Sequence, residues 1–159
     1  MVTKDNKSNV KTIGFLLVII QIVLIVSLVF MPSYYPLLKS STLLNSFGLL
    51  LIIVGVISAS LSSHQLGPSL TATPVPKYHS TLKTQGLYKY IRHPIYSSII
   101  LAGLGVVLIR PTVSSLIIYI LLIVFFNFKS RFEEKLLSQK FNNYSNYKLH
   151  SGRFLPLKK

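Results

Sequence analysis

The sequence predicts an all-α, polytopic membrane protein with four transmembrane helices and a cytoplasmic, helical C-terminal tail. Three observations carry this prediction. Half of the 159 residues are hydrophobic, with a mean hydropathy of +0.56. Four runs lack any charged side chain, and Lys and Arg crowd the segments that would face one side of a bilayer. The length fits a single domain, 1–159, with a first helix in 1–42 set before the rest.

The first run, Ile13 to Phe30, holds 18 residues broken only by Gly14, Gln21 and Ser27. At about 1.5 Å per residue it nearly crosses a hydrocarbon core of about 30 Å. Lys4, Lys7 and Lys11 precede it as they would a signal peptide. The run is too long for one, and no small-x-small cleavage pattern follows, so a retained helix is expected. The second run, Leu43 to Leu61, carries Gly48, Gly55, Ser58 and Ala59, a small-residue surface suited to close helix packing. Pro94 to Ile109 and Val113 to Phe128 follow, 16 residues each, joined by Arg110-Pro111-Thr112. Each would reach only about 24 Å, so either the flanks extend the helices or the pair forms a tight hairpin in a thinned bilayer. Helices are expected throughout, because lipid leaves backbone polar groups no other partners.

Fifteen Lys and Arg residues fall in the N-terminal tail, the loop from Ser62 to His93 and the C-terminal tail; only Lys39 and Arg110 fall on the other side. That bias predicts cytoplasmic termini in an integral membrane protein, with the plasma membrane the expected location. A net charge of +14 otherwise suggests nucleic acid, but the basic residues flank apolar runs without interleaved stacking aromatics, which argues against it. Without Cys there is no disulfide framework, thiolate metal site or Cys catalysis. No metal-ligand spacing, GxGxxG or Walker-type loop occurs. The three acidic residues, all four His, and Tyr88, Tyr90, Tyr96, Tyr144 and Tyr147 share the predicted cytoplasmic side, so any chemistry belongs there.

Two polar segments stand out. In the first, Leu66 to Tyr96, Pro68, Pro74 and Pro76 forbid a regular helix, Gly86 permits a turn, and Pro94 suits the first turn of the third helix. Arg92 and His93 then sit at a helix N-terminus, where free N–H groups favour an anionic ligand group. In the second, which continues from the fourth helix, Arg131 and Glu134 are three apart and can pair. Each feature has a plainer reading: Arg92 as a topology determinant, the tyrosines as interfacial anchors, Glu133-Glu134 as a solvated pair, His93 as a loop histidine.

Taken together, the residues resemble the isoprenylcysteine carboxyl methyltransferase family, membrane S-adenosylmethionine-dependent enzymes related to phospholipid methyltransferases. The matching pattern is Leu66-Gly67, Thr71, Pro74, Pro76, Leu82, Gly86, Tyr88, Arg92-His93-Pro94 and Tyr96. It resumes at Glu133-Glu134, Leu136, Phe141, Tyr144, Tyr147, Arg153 and Pro156, covering about residues 48–157. Ser98 and Asn142 stand where family members commonly carry Gly. The resemblance implies S-adenosylmethionine held by Tyr88, Tyr90, Arg92, His93, Pro94 and Tyr96, and by Glu133, Tyr144 and Tyr147 from the tail. It implies Glu134, Arg131 and Arg153 as catalytic candidates, either arginine orienting an acceptor carboxylate, and no metal. The expected acceptor is a membrane lipid or lipidated molecule, most simply methylated on a carboxylate. Amine methylation, an NADPH-dependent membrane reductase and a non-catalytic anionic-lipid binder are the alternatives.

Overall fold

The computed structural model describes residues 4–32, 35–39 and 41–156. Lys158 and Lys159, counted above in the basic tail, lie outside them. Five α-helices follow one another: α1 (Lys4–Phe30), α2 (Thr42–Leu66), α3 (Pro94–Ile109), α4 (Val113–Lys140) and α5 (Tyr144–His150). Two 3₁₀ turns, Gly67–Ser69 and Gly86–Lys89, lie between α2 and α3. The described residues contain no strand, only isolated bridges. α1, α2 and α4 are long and apolar enough to cross a membrane; α3 is a shorter apolar helix.

The helix ends follow local chemistry. The Ser41 side chain accepts from the Leu44 amide to start α2. α3 opens on Pro94, whose missing N–H costs nothing in a first turn. Thr112 and Ser115 cap α4 reciprocally, each side chain accepting the other's backbone N–H. The helices also exceed the apolar runs. α1 begins at Lys4 and not Ile13, and α2 continues to Leu66 past Leu61. α4 runs unbroken through Phe128 to Lys140, because nothing in that stretch is a Gly or Pro. Only α3 keeps the bounds of its apolar run.

Two kinds of packing hold the helices. α2 meets α3 through small residues: Gly48 lies against Gly105 and Ile109, and Gly55 against Ser98 and Ala102. On the other side of α3, Leu28, Val107, Ile118, Leu122 and Phe126 form a core shared by α1, α3 and α4. Outside this core the apolar side chains point away from the protein, among them Phe15, Ile22, Val56 and Val124, all more than half exposed. That arrangement suits lipid as the surrounding solvent. At the far end of the helices Arg110 donates to the carbonyl oxygens of Val29 and Met31, satisfying the last turn of α1.

Candidate active site

The site lies where α2 ends, α3 begins and α4 runs into the tail. Gly86 adopts φ +62°, a left-handed conformation open to glycine, and the Gln65 side chain accepts from the Leu87 amide. This turn directs Tyr88 inward, where its hydroxyl donates to the Ser62 carbonyl at 3.4 Å. Tyr90, Arg92 and His93 then pair with the tail. The Arg92 amide donates to the Gly152 carbonyl at 2.8 Å, the His93 amide to Arg153 at 3.1 Å, and Gly152 returns a bond to Tyr90 at 2.9 Å. Ser97 Oγ adds a bond to the Phe154 carbonyl at 2.7 Å. Segments some sixty residues apart are thus joined through their backbones.

Glu134 sits at the centre of that junction, 4% exposed. Its carboxylate accepts from Arg92 Nε at 2.9 Å and from Arg153 Nε and Nη2, both at 3.3 Å. Lys148 Nζ lies 3.6 Å away, and His93 Nε2 lies 3.4 Å away without hydrogen-bond alignment. Arg92 Nη1 also donates to the carbonyls of Lys148 and Ser151. A buried carboxylate needs such partners, and here they all come from the first loop and the tail.

Glu133, its neighbour on α4, turns the other way. It accepts from the Tyr96 hydroxyl at 2.7 Å and lies 3.7 Å from His93 Nδ1. The Tyr96 ring stacks between His93 and Phe126. Glu133 and Tyr96 line a cavity of about 330 Å³, within the size range of small-ligand sites. Tyr88, Arg92, His93, Pro94, Tyr144 and Tyr147 line it too. Eight of the expected residues therefore share one space. Tyr144 is 1% exposed, and its hydroxyl has no hydrogen-bond partner among the described residues, a buried polar atom suited to a ligand.

Four expected residues lie elsewhere. Tyr90 is exposed, with Lys89 over its ring. Arg131 is exposed and bonded to Asn127 at 3.3 Å; it does not pair with Glu134, which the burial of that carboxylate reserves for Arg92 and Arg153. Glu134 and Arg153 bind each other behind the cavity wall. Several lining residues were not foreseen, among them Gln21 and Lys129. Their signal was present: Gln21 is the bulkiest polar residue in the first apolar run, and Lys129 follows the fourth run directly.

Three tyrosine hydroxyls of the site stay neutral far into alkali. Burial pushes Tyr147 up to about 12; Glu134 adds to this, while the Ser151 hydrogen bond and Arg92 act against it. Burial and the Glu133 carboxylate raise Tyr88 further, and burial with the Glu134 and Glu133 carboxylates raises Tyr144 further, against Arg92. Folding therefore favours the protonated phenols. Their contribution to stability is complete below pH about 10, the unfolded value, and is lost as pH rises through the folded values. Melting temperature should hold level from pH 8 to 9.5 and fall above 10. The tyrosinate absorbance of a folded sample should show these three titrating after the exposed tyrosines; a single transition near 10 for all would contradict their burial.

These helices and this cavity define an integral membrane protein with a cavity of small-ligand size at one end of its bundle. The sequence pattern of the phospholipid methyltransferase family matches residues 43–144, and the chain belongs to that family. It is similar to protein-S-isoprenylcysteine O-methyltransferase A of Arabidopsis thaliana, 33% identical over 111 residues, 67% of this chain and 56% of that protein. A probable protein-S-isoprenylcysteine O-methyltransferase of Oryza sativa subsp. indica is 32% identical over 125 residues, 74% of this chain and 65% of that protein. The chain thus spans less than two thirds of the length of these relatives. The expected resemblance is borne out, although the family pattern ends at Tyr144, before Tyr147 and Arg153.

Proposed function

We propose that the protein is an S-adenosylmethionine-dependent methyltransferase that esterifies a carboxylate on a lipidic or lipidated acceptor at the cytoplasmic membrane boundary. The observation that carries this reading is the cavity that gathers Glu133, Tyr96, Tyr144 and His93 beside apolar helices, in a chain similar to isoprenylcysteine O-methyltransferases. The proposal includes four crossings, with α3 as the fourth helix of the bundle, cytoplasmic termini and residence in the plasma membrane. The strong asymmetry of Lys and Arg supports that orientation.

The lining fits the donor. Glu133 is the one carboxylate facing the cavity among the described residues, a partner for the donor's cationic groups. Arg92 lines it as well, its Nε and Nη1 being committed to Glu134 and the tail carbonyls. The orphan Tyr144 hydroxyl offers a hydrogen bond, and the tyrosine rings offer faces for an adenine or a cation. When bound, S-adenosylmethionine supplies a methyl group activated by a sulfonium cation. An acceptor carboxylate oxygen forms the new O–CH3 bond as the donor's S–CH3 bond breaks, leaving an ester and a neutral thioether, with no proton transferred. The protein's part is to align the two and exclude water.

Titration of purified protein with S-adenosylmethionine by calorimetry in detergent should show saturable binding. Glu133→Gln should weaken it about tenfold, the worth of one charge-assisted hydrogen bond. Absent binding in the wild type would end the proposal, and unchanged affinity in Glu133→Gln would remove that residue from the site. Amine methylation is the second reading, favoured by the family's phospholipid members. It would require Glu133 to take a proton from the acceptor, giving a transfer rate that falls as the carboxylate is protonated.

A further inference from the structure

The reading above requires a cation to receive the acceptor's carboxylate, and neither arginine expected for that role reaches the cavity. Arg131 is bonded to Asn127 on the surface, and Arg153 is spent on Glu134 and Asn127. Lys129 does reach it. Its side chain is 1% exposed, one helical turn before Glu133 on α4 and so about 6 Å further toward the apolar part of that helix. The ammonium donates to Gln21 Oε1 of α1 at 2.5 Å and stands 5.3 Å over the Tyr96 ring. Among the described residues no carboxylate is in ion-pair contact with it.

A buried ammonium whose hydrogen-bonding partner is a neutral amide is incompletely compensated, because charges removed from water are normally paired with opposite charge. An ionisable side chain at membrane depth that faces a cavity marks a ligand pathway by default. Here the ammonium faces the same space as Glu133 and Tyr96, from the end nearer the apolar helices. We propose that Lys129, oriented by Gln21 of α1, is the acceptor-binding cation: it holds the carboxylate of a lipidated acceptor and makes the enzyme selective for an acidic head group over a neutral one. This deepens the methyltransferase reading and rests on it. It also gives α1 a role in the site although it lies outside the family match, since Gln21 lines the cavity and fixes the lysine. The occupant is a carboxylate, because the chain is similar to enzymes named for isoprenylcysteine and because a single ammonium suits a monoanion.

The test uses the full chain in lipid nanodiscs and two probes, N-acetyl-S-farnesylcysteine as its free acid and as its primary amide. Binding of each is measured by calorimetry in the presence of the spent donor, S-adenosylhomocysteine, beside the affinity for S-adenosylmethionine. Wild type should bind the acid at least about tenfold more tightly than the amide, the margin of a charge-assisted hydrogen bond. Lys129→Met should erase the difference and leave S-adenosylmethionine affinity unchanged, and Lys129→Arg should keep most of it. Gln21→Glu supplies the lysine with an internal carboxylate. It should lose acid binding while melting at or above the wild-type temperature, which separates the proposal from a fold defect. Equal binding of acid and amide by wild type, or a preference surviving in both Lys129→Met and Gln21→Glu, overturns this inference. Loss of S-adenosylmethionine binding by the wild type overturns instead the reading beneath it.

Discussion

Glu134→Gln is expected to destabilise the protein by about 3–5 kcal/mol, the range seen when one member of a buried ion pair is removed. The substitution keeps the shape and removes only the charge. It leaves the Arg92 guanidinium, 9% exposed, facing a neutral amide in a place water does not reach. Arg153 and Lys148 add less, being 27% and 43% exposed and partly hydrated. The loss should appear as a lowered melting temperature in detergent. It should also appear as faster protease cleavage near Asn142 and Asn143, which are exposed at the corner between α4 and the docked tail. A melting temperature within a degree of wild type would show that this carboxylate does not clamp the tail. Because Glu134 stands behind the cavity wall, any fall in donor affinity should follow the loss of folded protein and not precede it.

The second large effect lies at the opposite face of α3. A Cβ added at Gly48 would stand 2.7 Å from the Gly105 carbonyl oxygen and 2.8 Å from Ile109 Cγ1. One added at Gly55 would stand 2.8 Å from both the Ser98 carbonyl oxygen and Ala102 Cβ. The obstacles include backbone, which cannot rotate aside, so α2 and α3 must separate. Gly48→Ala and Gly55→Ala should each cost about 1–3 kcal/mol, as overpacking does. Two turns apart with different neighbours, they should combine nearly additively in the double variant. Melting of either variant at the wild-type temperature would mean that the interface has slack these distances deny.

Much of this was legible from residue order. Charge-free runs located four helices, and Pro94 and the Arg110-Pro111-Thr112 link marked both ends of α3. Runs of apolar residues locate a membrane segment but not a helix end, which is why α1, α2 and α4 continue into polar sequence. The small residues of α2 were read as a packing surface, and Gly48 and Gly55 serve as one. For the site, the two polar segments do meet, and eight expected residues line one cavity. The division of labour between Glu133 and Glu134 was not legible. Adjacent helical residues point about 100° apart, and which of them faced the tail depended on where Arg92 and Arg153 would lie. The Arg131–Glu134 pairing failed for the same reason: helical spacing permits a contact, but tertiary partners compete for it. Lys129 was counted with the topology-setting cations because only the fold puts Gln21 beside it.

The unequal lengths of α3 and α4 have a mechanical consequence for the proposed acceptor. Sixteen residues rise about 24 Å and twenty-eight about 42 Å, so α4 overshoots the start of α3 by several turns. The cavity occupies that step and, on the proposed four-crossing arrangement, would stand at the level of the lipid head groups. Drawing a hydrocarbon tail out of the membrane takes about 0.8 kcal/mol for every methylene exposed to water. A step that meets the head group at its resting depth removes most of that work, leaving the tail dissolved among its neighbours while only the polar end enters the protein.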